Sequence, residues 1–247
     1  MRRAAWRQVG ARPLPGPRRL PRHRSLRGSA SLPLLRPGPE RRWAWLLLGA
    51  CVILVLAIGA TFAHQTTADG LDRVIDDPVI NWLGRDRALL GWLQFPGTQV
   101  PAVVLSLAMA ILALARRRHA AAVLALIADL VATQLDEWLL KPLFDRTYLG
   151  AISYPSGHTT SVVSIVAVYV VLFVLPPQDS RARAWRLCGL AVLLALTVIT
   201  VIGVIGLRWH YFTDTVGGAA VAVGTVCGLC LAIDASARRL RAARASA

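Results

Sequence analysis

Long apolar runs alternate with short polar breaks along this chain. The runs fall at about 43–63, 98–115, 120–140, 159–175, 187–207 and 214–233. Each is close to the ~20 residues that an α-helix needs to cross the hydrocarbon layer of a bilayer. The pattern predicts an all-α fold, a bundle of six transmembrane helices. The break at 64–98 has its own periodicity. Leu71, Ile75, Val79, Trp82 and Leu83 recur at helical spacing among Asp69, Asp72, Asp76, Asp77 and Asp86. This predicts a short amphipathic helix on the outer membrane surface, with a plain connecting loop as the alternative. Asp129 lies deep in the third run, where a packing hydrogen bond is expected of it.

Charge orients the bundle. Residues 1–42 hold twelve arginines against one acid, Glu40; Arg116–Arg118, Arg181–Arg186 and the arginines after 236 form the other basic clusters. In a six-span arrangement all four fall on one side, which the positive-inside rule makes cytoplasmic. The acidic 64–98 segment and the breaks at 141–158 and 208–213 fall on the other. Three regions follow: a disordered Arg/Pro-rich tail over 1–42, a membrane domain over 43–235 and a basic tail over 236–247, with both termini cytoplasmic.

Of the 247 residues 55% are apolar, and the net charge is +15. Such a balance can mark a nucleic-acid binder. Here the basic clusters flank apolar runs, so no nucleic-acid partner is expected, and anionic lipid head groups are the natural neighbours. The bias toward arginine fits a GC-rich bacterial genome and a multi-pass plasma-membrane protein. Cys51, Cys188, Cys227 and Cys230 lie in or beside apolar runs and read as small hydrophobes. No metal and no cofactor is expected.

The candidate chemistry sits in two breaks. The first, WLLKPLFDRTYLGAISYPSGH, carries Lys141, the single lysine of the chain, with Arg146, Ser156, Gly157 and His158. The second, RWHYFTD, carries Arg208, His210 and Asp214. His210 and Asp214 are four apart, so on one helix face a carboxylate can meet an imidazole and set its tautomer. Alone, that spacing reads equally as an acid at a helix N-terminus beside an interfacial histidine. Gly157 opens a helix whose free N–H groups suit an anion, and Ser156 adds a hydroxyl. Lys141, Arg146 and Arg208 supply cations matched to phosphate oxygens, though any one arginine could be a head-group anchor.

These residues resemble the type 2 phosphatidic acid phosphatase family over about 80–235. Its three motifs run roughly K-x6-R-P, P-S-G-H and S-R-x5-H-x3-D. The second is complete at Pro155–His158, the third is matched at His210 and Asp214, and the first at Lys141. Two motif arginines are missing, their places taken by Tyr148 and Val204. The resemblance implies a metal-independent hydrolase acting on lipid phosphates at the extracytoplasmic face. His210 would be the nucleophile forming a phosphohistidine, Asp214 would orient it, and His158 would be the proton donor. Lys141, Arg146, Ser156, Gly157 and Arg208 would hold the phosphate. The substrate would be a polyprenyl phosphate or diphosphate, phosphatidic acid or phosphatidylglycerol phosphate; the oligomeric state is left open. A lipid-phosphate binder with a degenerate site, and a transporter relaying protons through Asp129, are the alternatives.

Overall fold

A computed structural model describes residues 33–176 and 180–246. They form helices α1 (Pro39–Phe62), α2 (Gly70–Leu83), α3 (Arg87–Gln94), α4 (Gln99–Ala115), α5 (His119–Leu135), α6 (Lys141–Phe144), α7 (Gly157–Tyr169), α8 (Ser180–Gly206) and α9 (Phe212–Ala245). A two-stranded hairpin, β1 (Thr147–Tyr148) with β2 (Ala151–Ile152), lies between α6 and α7. Its Leu149–Gly150 turn has positive φ at both residues, the geometry that closes tight hairpins.

Five helices, taking α3 and α4 end to end as Arg87–Ala115, are long and apolar enough to cross a bilayer. The sixth expected span is α5. Its regular part has 17 residues, and it then widens into a π turn over Asp136–Leu140 that leads into α6. Ala121, Ala125, Ala128 and Ala132 are buried along one side of α5. Their small side chains let it pack closely against α4, α7 and α9. Helix α7 is the centre of the bundle, touching α4, α5, α8 and α9.

The segment 64–98 is helical, as its periodicity predicts. Asp69 caps α2 by accepting from the Asp72 amide, and Asp86 caps α3 by accepting from the Leu89 amide. The orientation of α2 is what a soluble protein would reverse. Asp72 and Asp76 are buried against the bundle, whereas Leu71, Val74 and Trp82 are exposed.

Both tails differ from the expected boundaries. Residues 1–32 of the expected N-terminal tail lie outside the described residues. Its last part is packed: Leu34 and Leu35 are buried, and their amides donate to the two oxygens of Asp234 in α9. At the other end α9 continues as one helix to Ala245, well beyond the apolar run.

Backbone contact between α3 and α8 is set by Gly203. A methyl group there would meet the Gln94 amide nitrogen at 2.5 Å and the Leu93 carbonyl carbon at 2.9 Å. Backbone cannot swing aside as a side chain can. Gly203→Ala is therefore expected to destabilise the detergent-solubilised protein by about 1–3 kcal/mol, read as a fall in apparent Tm. Gly49→Ala, at a position with open space, is expected to hold or raise it.

Candidate active site

The site lies where the breaks before α7 and α9 meet. Two glycines of α9 let them approach. A Cβ on Gly217 would strike the Tyr154 ring at 2.4 Å, and one on Gly218 the Ser156 carbonyl oxygen at 2.5 Å. The Ser156 amide donates to the Asp214 carbonyl at 3.0 Å, tying the two stretches backbone to backbone. The Tyr154–Pro155 peptide bond is cis.

An open cleft of about 710 Å³ results, lined by Lys141, Gly157, His158, Arg208 and His210 among others. The rings of His158 and His210 face each other with centroids 6.1 Å apart, and Trp209 lies 5.5 Å from His158. His210 is buried, and its Nδ1 lies 2.8 Å from the Ser153 carbonyl oxygen. A carbonyl only accepts, so Nδ1 carries the proton and Nε2 is left as the basic nitrogen. Burial, helped by the nearby His158 and Lys141 and opposed by the Ser153 carbonyl, pushes the His210 pKa down to about 3. The ring is a neutral imidazole at ordinary pH.

Asp214 is close to His210 but is not its hydrogen-bond partner. Its Oδ2 is 3.9 Å from Nδ1 and accepts instead from the Tyr211 amide at 2.9 Å, closing the first turn of α9. Its Oδ1 accepts from Arg146 Nη1 at 2.6 Å. The tautomer that the sequence assigned to Asp214 is therefore set by a backbone carbonyl.

Arg146, expected to hold substrate, is a second correction. Its side chain is buried. Nη1 donates to Thr213 Oγ1 and Asp214, and Nη2 donates to Asp72 Oδ2, each at 2.6 Å. The guanidinium lies 4.4 Å from the Phe62 ring centroid and 4.2 Å from that of Tyr211. Its Nε is buried without a partner, and the side chain does not line the cleft, so it offers a phosphate nothing there. Ser156 is a third correction. It is buried, and its Oγ accepts from the Thr159 hydroxyl at 3.2 Å and the Thr159 amide at 3.5 Å, as the N-cap of α7.

Of the expected phosphate ligands, Lys141, Gly157 and Arg208 thus reach the cleft. Tyr148, at one missing arginine's place, also lines it and stacks on Tyr211 with centroids 4.2 Å apart. Val204, at the other, is wholly buried in α8, and Arg208 projects one turn further on. Sequence reasoning missed Arg87, which enters the cleft from α3, and Asp72, whose Oδ1 accepts from the Thr213 amide at 2.9 Å. The helical period of 64–98 was the available signal for Asp72: it puts Asp72 and Asp76 on one face. Asp76 is buried beside Asp72, and burial with that like charge raises its pKa to about 7. Among the described residues no group of three or more His, Cys, Asp or Glu is arranged to hold a metal ion.

The model of the PAP2 superfamily matches residues 132–238 of this chain, a stretch that contains both breaks. A crystal structure described as the first transmembrane PAP2-type phosphatidylglycerolphosphate phosphatase, from Bacillus subtilis, superimposes with a TM-score of 0.55. The alignment covers 78% of this chain and 96% of that one at 18% identity, a likeness of fold. No curated protein matches the chain.

Two outcomes follow from this geometry. Asp72→Ala removes one carboxylate from the buried guanidinium and one acceptor from the start of α9. It is expected to cost about 3–5 kcal/mol in thermal or denaturant unfolding, and an unfolding curve matching the wild type would rule out the network as a structural joint. The second concerns pH. Between about pH 3 and the ordinary histidine value of 6.5, the unfolded chain binds a proton at His210 that the folded protein refuses. Stability is therefore lost as pH falls through 6.5, by at most ~1.4 kcal/mol per unit. Asp76 works in the opposite sense, its raised value making folding less favourable as pH rises toward 7. The measurement is accordingly a difference: acidification from pH 7 to 5 should lower the wild-type Tm more than that of His210→Gln.

Proposed function

We propose that this chain, whose residues 132–238 match the PAP2 superfamily model, is an integral-membrane lipid phosphatase of that superfamily working through a phosphohistidine on His210. The observation that carries this reading is the facing pair of histidines in a cationic cleft. Their ring centroids are 6.1 Å apart, so both rings border the same part of the cleft. The substrate would be a lipid phosphate or diphosphate, since the cleft lies at the ends of apolar helices.

In the first step the Nε2 lone pair of His210 forms a bond to phosphorus as the bond to the lipid oxygen breaks. His158, in its protonated form, gives its proton to that departing oxygen. The imidazole becomes cationic as it is phosphorylated. The Ser153 carbonyl on Nδ1 and the Asp214 carboxylate 3.9 Å away lower the cost of that charge. In the second step His158, now neutral, takes a proton from a water that attacks phosphorus, and phosphate leaves His210. Lys141, Arg208, Arg87 and the free amide of Gly157 face the phosphoryl oxygens throughout. The chemistry needs no metal.

We place the cleft on the extracytoplasmic face of a bacterial plasma membrane, both termini in the cytoplasm, and α5 with its π turn as the sixth span. The arginine clusters at 116–118 and 181–186, opposite the cleft along the chain, support that orientation. The alternative is a protein that binds lipid phosphate without turnover. Val204 and Tyr148, which put no cation at two expected places, favour it.

One experiment separates them. Detergent-purified protein in EDTA is offered a panel of polyprenyl phosphates, phosphatidic acid and phosphatidylglycerol phosphate, and released phosphate is measured. The wild type is expected to turn over at least one, and His210→Ala to lose roughly three orders of magnitude or more. Tight binding with no release from any of them would establish the binding protein.

A further inference from the structure

Glu137 lines the cleft, and the mechanism above gives it nothing to do. It is the only acidic side chain among the described residues lining the cleft, against Arg87, Lys141 and Arg208. It sits in the π turn, whose extra width brings residues four apart closer to being stacked than an α-helix does. Its Oε1 accordingly pairs with Lys141 Nζ. The Glu137 side chain is half exposed while that of Lys141 is largely covered, so the carboxylate approaches the lysine from the open side.

The same oxygen also borders the start of α7. A methyl group added to Gly157 would meet Glu137 Oε1 at 3.4 Å. Of the first amides of the helix the Ser156 hydroxyl accepts from that of Thr159, so the amides of Gly157 and His158 are left at an end where negative charge is favoured. One carboxylate oxygen thus pairs with Lys141 and lies beside the α7 N-terminus, the two elements that a phosphoryl group would use.

We propose that Glu137 occupies the phosphate subsite of the empty cleft as an internal anion, and that any phosphate must displace it to bind. This rests on the phosphatase reading above. The displacement weakens every phosphate ligand by the same factor, because it acts on the phosphate and not on what is attached to it. A lipid phosphate makes up the loss through its anchored tail, which holds it at high local concentration beside the cleft. Free phosphate in solution has no such help. The site therefore stays open to lipid while inorganic phosphate, the reaction's own product included, is kept from dwelling there.

The test is a gain of affinity, which damage to the fold does not produce. Inorganic phosphate is titrated calorimetrically into detergent-purified wild type, Glu137→Gln and Glu137→Ala, and its inhibition constant is measured against lipid turnover in EDTA. Both variants are expected to bind phosphate about tenfold tighter or more, with a matching fall in inhibition constant and in KM for the lipid. Unchanged or weaker phosphate binding in both variants, with wild-type turnover intact, overturns the role of Glu137 and leaves the phosphatase standing. Absence of phosphate binding in all three proteins, together with absence of turnover, overturns both.

Discussion

The fold depends on one buried guanidinium. Arg146 joins α2 through Asp72 to the start of α9 through Thr213 and Asp214, and it lies between the rings of Phe62 from α1 and Tyr211. A charge so far from water is costly unless each partner is in place, and removing one leaves the others uncompensated. The network is therefore all-or-none. It fixes Asp214, which fixes the first turn of α9, which places His210 two residues before that helix begins. The placement of His210 in the cleft is inherited from a salt bridge whose members do not line it.

This division of labour explains the two absent motif arginines. The chain has cations in the right neighbourhood, but Arg146 is committed to structure. The cations that line the cleft are instead Lys141, Arg208 and Arg87, which approach from α6, the end of α8 and the start of α3.

How much of this was legible in the sequence depended on what kind of signal each feature leaves. Apolar runs of membrane length announced the five long helices, because solvation by lipid acts on whole segments. The break in α5 was not legible. DEWLL, the π turn at Asp136–Leu140, contains no glycine and no proline of its own, and the nearest signal is Pro142 just after it. The spacing of His210 and Asp214 put them on adjacent turns, and they are adjacent. Spacing does not say which acceptor reaches Nδ1 first, and the Ser153 carbonyl, 57 residues away in the chain, does. Ser156 and Arg146 were read by side-chain type, and both types serve structure as readily as binding: a serine before a helix caps it, and an arginine beside two acids is bound by them.

Arg146–Asp72 and Lys141–Glu137 are both ion pairs of opposite full charges, yet their surroundings make them different devices. The first is sealed between aromatic rings, beyond the reach of mobile ions, and behaves as a weld whose strength is indifferent to salt. The second sits at an open mouth where dissolved ions screen it, and behaves as a latch that loosens as ionic strength rises. The two cations are five residues apart in one short stretch, so the same short stretch of chain carries both a permanent joint and a releasable one, and the salt of the surrounding solution acts mainly on the second.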